Sequence, residues 1–202
     1  MKIIYSDKNI AVIVKPVGVD SEHKLPEMLK AELGGEFFTV HRLDTNVSGV
    51  MVYARTKKAA AELSRAITDG TMIKEYVALV EGTPDESGVL EDLLWKDPKK
   101  NKVFVVNRMR GGVKDAKLEY TRLSVTDGVS LVRVRIYTGR SHQIRVQFAS
   151  RGFPLVGDKK YGSRKEGDAP MLYSFKLTFP YGGKTVSFED LPDWAEQNEG
   201  KC

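Results

Sequence analysis

Val50-Met51-Val52-Tyr53-Ala54 is apolar at every position, so a strand formed there buries both faces and belongs inside a sheet rather than at its edge. The rest of the chain has to be arranged around that strand. Directly before it runs a polar stretch, His41-Arg42-Leu43-Asp44-Thr45-Asn46-Val47-Ser48-Gly49. A polar loop that feeds a buried strand sets its carboxylate, Asp44, at the rim of a rigid sheet, the posture of an active-site acid. Taken alone, Asp44 also reads as an Asx-turn residue or an ordinary loop acid.

The flanking pattern supplies more strands than helices. Ile3-Ile4-Tyr5 and Ile10 to Val14, broken by Ser6-Asp7-Lys8-Asn9, read as a hairpin stopped by Lys15-Pro16. A short helix is predicted over Pro26 to Leu33 and ends at Gly34-Gly35. Thr56 caps the next helix, whose apolar stripe is Ala59, Ala60, Leu63, Ala66 and Ile67, before Gly70. Tyr76 opens another strand, and further strands are expected at Val103 to Val106, Leu118 to Val125 and Val129 to Tyr137. The last two join through the turn Thr126-Asp127-Gly128. Gly139-Arg140-Ser141 leads into a helix through Ala149, with Ser141 as N-cap and Ile144 and Phe148 as an i, i+4 apolar pair. A final hairpin, Leu172 to Phe179 and Thr185 to Phe188 around Tyr181-Gly182-Gly183, precedes a polar tail expected to fray from about residue 190. The pattern predicts an α+β fold with a large, mainly antiparallel (mixed) sheet and a few flanking helices, built as one domain over residues 1–202.

Charge and composition narrow the class. With 32 Lys+Arg against 27 Asp+Glu, the net charge is +5, which suits a polyanionic partner and also suits ordinary solubility. One cysteine, Cys202, leaves no disulfide framework and no thiolate metal cluster, as expected of a reducing cytoplasm. Asp7 and Lys8 interrupt the N-terminus before a long apolar segment forms, and no later stretch approaches the ~20 apolar residues of a membrane span. No export and no membrane partner are expected. His23, His41 and His142 make no i, i+4 ligand pair, and no carboxylates cluster as in a two-metal site. The chain has no Gly-x-Gly-x-x-Gly fingerprint, no P-loop and no Gly-x-Ser-x-Gly elbow around Ser48 or Ser141. No metal and no cofactor are implied.

Two cationic groupings stand out. In Leu131 to Tyr137 the alternation puts Val132, Val134 and Ile136 on one face and Arg133, Arg135 and Tyr137 on the other. That second face is either solvated or a nucleic-acid groove, where cations meet phosphates and a ring stacks on a base. Arg140 and His142 have the wrong sign for a helix N-terminus, so a phosphate or carboxylate is expected among them, unless the cations are simply solvated.

Three segments in order resemble the pseudouridine synthases of the RluA type: the Asp44 stretch, Lys74-Glu75-Tyr76-Val77-Ala78-Leu79-Val80-Glu81-Gly82, and Thr138-Gly139-Arg140-Ser141-His142-Gln143-Ile144-Arg145. The resemblance runs from Lys15-Pro16 through Gly157-Asp158-Lys159-Lys160-Tyr161-Gly162. Val47 stands where the family usually has Thr, and Leu172-Tyr173-Ser174 where it usually has Leu-His-Ala. Neither departure removes an ionisable group the chemistry needs. Because the resemblance starts so early, the separate N-terminal RNA-binding module of many relatives is not expected.

The resemblance implies that Asp44 is the catalytic carboxylate, that Tyr76 lies against the target base, and that Arg145 pairs with Asp44. It implies isomerisation of specific uridines in structured RNA, ribosomal or transfer, with the nucleotide flipped out of its stack and no obligatory protein partner. Arg42 is then expected to occupy or prop open the space near the flipped nucleotide. The chemistry agrees: charge resembling an oxocarbenium ion develops at the sugar, and an ionised carboxylate attacks it, stabilises it or removes a sugar proton. A non-catalytic RNA-binding protein with the same fold and a nucleosidase-like hydrolase that releases free uracil are the alternatives.

Overall fold

The computed structural model describes residues 1–199; the single cysteine, Cys202, lies outside the described residues. Among these the chain forms, in order, β1 Lys2–Ser6, β2 Ile10–Lys15, α1 Lys24–Leu33, β3 Phe38–Thr39, β4 Ser48–Ala54, α2 Lys57–Thr68, β5 Ile73–Glu81, β6 Ser87–Asp97 and β7 Lys102–Val106. There follow β8 Val113–Thr126, β9 Val129–Ile136, α3 Gln143–Ala149, a 3-10 turn at Lys159–Tyr161, β10 Leu172–Tyr181, β11 Lys184–Glu189 and α4 Asp193–Glu199. Eleven strands and four α-helices, with β10 running parallel to β4 and antiparallel to β11, make the mixed α+β architecture expected from the pattern. No described helix is long and apolar enough to cross a membrane. The chain divides into two compact units, residues 1–74 with 173–191, and residue 75–172 with the segment from 192 onward.

In the first unit the strand order is β1-β2-β4-β10, with β11 on β10 and β3 on the end of β4. β4 is interior, as its sequence requires: Gly49 through Ala54 are all buried. It runs antiparallel to β2 from Lys15↔Gly49 to Ile10↔Ala54 and parallel to β10 at Tyr173↔Ser48 and Ser174↔Gly49. The parallel contact is very close. A Cβ on Gly49, whose φ is +122°, would lie 2.2 Å from the Ser174 carbonyl oxygen, so only glycine fits. Thr56 caps α2 by accepting from the Ala59 N–H at 3.1 Å, and Ala59, Leu63 and Ala66 bury that helix against Val50, Val52 and Phe179.

In the second unit the order is β5-β9-β8-β6-β7. The β8–β9 hairpin turns through Asp127 and Gly128, both at positive φ, as a two-residue turn requires. β6 is an addition to the pattern read from sequence. Its leucines, Leu90, Leu93 and Leu94, are spaced i, i+3, i+4 as on a helix, and Glu91 and Asp92 sit between them. Nine consecutive register pairs with β8, Ser87↔Thr121 to Trp95↔Val113, hold it extended all the same. Those pairs also begin β8 at Val113, five residues before the first apolar position that alternation identifies.

Two helix expectations are corrected. α3 starts at Gln143, and its N-cap is His142 in the left-handed region at φ +52°, with no side-chain cap; Ser141 does not serve. The Gln143 amide oxygen ties the preceding loop instead, accepting from the Arg140 N–H at 3.1 Å and the Thr138 hydroxyl at 2.8 Å. Ile144 and Phe148 are buried as expected. Where fraying was expected from about residue 190, α4 forms: the Pro192 carbonyl accepts from the N–H groups of Ala195 and Glu196, Asp193 suits the helix start, and Ala195 is fully buried.

Candidate active site

In the first unit the Asp44 loop is clamped through its backbone. Three successive carbonyls are taken: Leu43 by the Ser21 hydroxyl at 3.0 Å, Asp44 by the Val47 N–H at 2.9 Å, and Thr45 by both the Gly18 N–H at 2.8 Å and the Lys15 ammonium at 3.0 Å. Leu43 and Val47 are buried on either side. The half-buried Asp44 side chain is therefore carried on a short, immobilised segment that enters β4 at Ser48.

Lys15 is the unexpected member. It closes β2, is 0% exposed, and donates to the carbonyls of Pro16 at 2.9 Å and Val19 at 2.8 Å as well as Thr45. Burial pushes its ammonium down to about 8, while the charges of Asp20 and Asp44 pull it back up. A lysine at a strand end is normally exposed, so its sequence position did not mark it. The motif Lys15-Pro16 is visible in the sequence only as the stop of the first hairpin and the place where the resemblance begins.

Arg42 points elsewhere: it is exposed and pairs with Glu22 at 2.7 Å. His41 accepts from the Val52 N–H through Nε2 at 3.1 Å, and burial, with the Lys74 charge, pushes its imidazole down to about 3. It is a neutral brace on β4, in contrast to the cationic Arg42 beside it.

In the second unit Tyr76 lies buried on β5. Arg145, on α3, forms a buried bidentate pair with Asp158, Nε to Oδ2 at 2.7 Å and Nη2 to Oδ1 at 2.9 Å. The two side chains are 7% and 1% exposed. Sequence reasoning gave Arg145 a carboxylate partner but missed this one. Asp158 opens the 3-10 turn whose Tyr161 lies with its ring 5.1 Å from the Arg145 guanidinium carbon. The Tyr161 hydroxyl accepts from the Val103 N–H at 2.9 Å and is 2.8 Å from His142 Nδ1. Arg145 and His142 thus gather around one tyrosine.

The other expected cations are spread over the sheet. Arg133 is exposed on β9, and Val132, Val134 and Ile136 are buried, so the alternation holds. Arg135 lies 3.8 Å from Glu119 and 5.0 Å from the Tyr137 ring. Arg140 donates to the Asp115 carbonyl at 2.8 Å and approaches its carboxylate at 3.4 Å. The anion expected among the cations before α3 is in part a carboxylate of the chain itself.

Residues 3–150 match the family model described as RNA pseudouridylate synthase. The chain is 34% identical to the dual-specificity RNA pseudouridine synthase RluA of Escherichia coli K12, over 95% of this chain and 93% of that one. It is 28% identical to the ribosomal large subunit pseudouridine synthase D of Zymomonas mobilis, over 94% of this chain and 68% of that one. Among solved structures, human RNA pseudouridylate synthase domain containing 1 superposes with a TM-score of 0.83 at 25% identity, covering 95% of this chain and 83% of the human one.

Proposed function

This chain belongs to the RNA pseudouridylate synthase family, and from that premise we propose that it isomerises specific uridines of structured RNA, ribosomal or transfer, with Asp44 as the catalytic carboxylate. The name of the Zymomonas relative supports a ribosomal RNA target, and that of the Escherichia relative, a dual-specificity RNA pseudouridine synthase, supports more than one RNA target. The uridine is flipped from its stack, because the sugar carbon and the ring are out of reach inside a helix. The bond from C1′ to N1 then breaks, the freed uracil turns, and a new bond joins C1′ to C5 while the C5 proton leaves for N1 or solvent. No atom is gained or lost overall.

Asp44 acts on the sugar, as nucleophile at C1′ or as base at C2′, where positive charge builds up. What supports it is the clamped loop: the Leu43, Asp44 and Thr45 carbonyls are all held, so the carboxylate needs little reorganisation during the reaction. The buried Lys15 ammonium holds the same loop, through the Thr45 carbonyl that follows Asp44. Arg145 is assigned as a positioning residue that pairs with Asp44, its fork already oriented by Asp158. Tyr76 forms a wall against the detached uracil and keeps it from being lost to water. Arg42, held among the described residues by an exposed pair with Glu22 worth little, swings into the space the nucleotide leaves. Arg133, Arg135, Arg140 and His142 meet the RNA backbone. A reducing cytoplasm is the proposed location, in keeping with a single cysteine.

Asp44→Asn tests this reading, since the swap is almost isosteric and removes only the charge. Folding and RNA affinity should persist while pseudouridine formation is abolished. Measurable turnover by the pure variant would sink the assignment, and free uracil from the wild type would favour a hydrolase.

A further inference from the structure

Two touching segments of the second unit concentrate eight cations. The end of the β6–β7 hairpin, residues 96–102, holds Lys96, Lys99, Lys100 and Lys102, with Asp97 as its one acid. The 3-10 turn and the loop after it hold Lys159, Lys160, Arg164 and Lys165, followed by the acids Glu166 and Asp168. Apart from Lys102 all eight cations are exposed, and among the described residues none has a carboxylate within ion-pair distance. Asp97 turns one oxygen inward, accepting from the N–H groups of Lys99 at 2.9 Å and Lys100 at 3.2 Å.

The grouping is built rather than incidental. Lys160 donates to the Asn101 carbonyl at 3.1 Å, the Tyr161 hydroxyl accepts from Val103, and the Lys102 ammonium sits 5.3 Å from the Tyr161 ring centre. Glu81 pins the second segment from β5, accepting from the N–H groups of Arg164 at 2.9 Å and Lys165 at 3.1 Å. A fixed backbone thus presents like charges that repel one another, an arrangement that an external anion relieves.

We propose that this ridge is a docking surface for the sugar–phosphate backbone of the structured part of the RNA, outside the nucleotide that reacts. The proposal rests on the reading that the partner is RNA. Two features favour RNA over an acidic protein or a membrane. The ridge is continuous, through Tyr161, with Arg145, so RNA held there has its flanking backbone within reach of these lysines. Seven of the eight cations are lysines, compact hydrated charges suited to phosphates irrespective of sequence. By contrast Arg135 and Arg140 already lie beside Glu119 and Asp115.

The test is Lys99→Ala/Lys100→Ala/Lys159→Ala/Lys165→Ala in the full chain, with the four Lys→Arg changes as the charge-retaining control and unfractionated bacterial transfer RNA as probe. Across about 50 to 200 mM salt, four lost contacts at roughly 0.7 each should lower the slope of log affinity against log salt by about 3. Extrapolated from 1 M salt, that is on the order of a hundredfold weaker binding near 150 mM. The Arg variant should keep the wild-type slope, and turnover at saturating RNA should be unchanged. An unchanged slope in the Ala variant overturns the ridge, as does loss of binding to anionic vesicles or polyglutamate with RNA affinity intact. If the wild type formed no pseudouridine yet the slope still fell, the isomerase reading would fail and the ridge would stand.

Discussion

Replacing Asp158 by Asn changes almost no volume, so its cost isolates the electrostatics of the Arg145 pair. Both side chains are buried, at 7% and 1% exposed, and two short hydrogen bonds join them. The amide keeps one acceptor and turns its N–H2 toward the other guanidinium donor, so one bond is lost and a buried cation loses the countercharge of Asp158. Breaking a buried pair in this way costs about 3 to 5 kcal/mol, a large share of the ~5 to 15 kcal/mol that holds a typical domain together. At about 2 to 4 °C per kcal/mol for a chain of this size, the melting temperature should fall by roughly 6 to 20 °C. Urea unfolding followed by circular dichroism measures the loss directly. In the proposed role Arg145 also loses its orientation, so the rate should drop, at a temperature where the variant is folded, with the salt slope of RNA binding unchanged. A stability loss under about 1 kcal/mol, the level of an exposed ion pair, would refute the reasoning, because Arg145 would then be solvated or balanced by other groups.

Lys15 has a folded value of about 8 against an unfolded 10.5. Between those pH values the unfolded chain holds the extra proton, so stability should rise with pH across that window by roughly 3 kcal/mol, and the cost is fully present below pH 8. Urea midpoints at neutral and alkaline pH should show this increment in the wild type and lose it in Lys15→Met; an equal increment in both would assign it to other groups. Gly49→Ala should cost about 3 kcal/mol or more, since its Cβ meets the Ser174 backbone at 2.2 Å, and a thermal melt within a few degrees of wild type would mean the strands part more easily than argued. Tyr76→Phe keeps the wall and should lose less rate than Asp44→Asn in a pseudouridine assay, whereas equal losses would give the hydroxyl a direct part in the chemistry.

Local pattern alone determined a good deal of this protein. The all-apolar run at Val50–Ala54 demanded an interior strand and received one, between β2 and β10. Thr56 announced its helix, Asp127-Gly128 its turn, and Arg133, Arg135 and Tyr137 their shared face, because caps, tight turns and pleats are settled by neighbours a few residues apart. The order of three short motifs carried the family, and with it the choice of Asp44, Tyr76 and Arg145.

Tertiary structure decided what depends on distant partners. β6 is a strand because β8 pairs with nine of its residues, although its own leucines are spaced as on a helix. Gly49 is obligatory because Ser174, far along the chain, lies against it. Lys15 and Asp158 are buried because Val19, Thr45 and Arg145 close around them. The charge ridge exists because the turn at residues 97–102 lands on the turn at Lys159–Tyr161. A side chain's burial and its partner are properties of the packed chain, and a free energy of burial or pairing has no local signature in the residues that will share it.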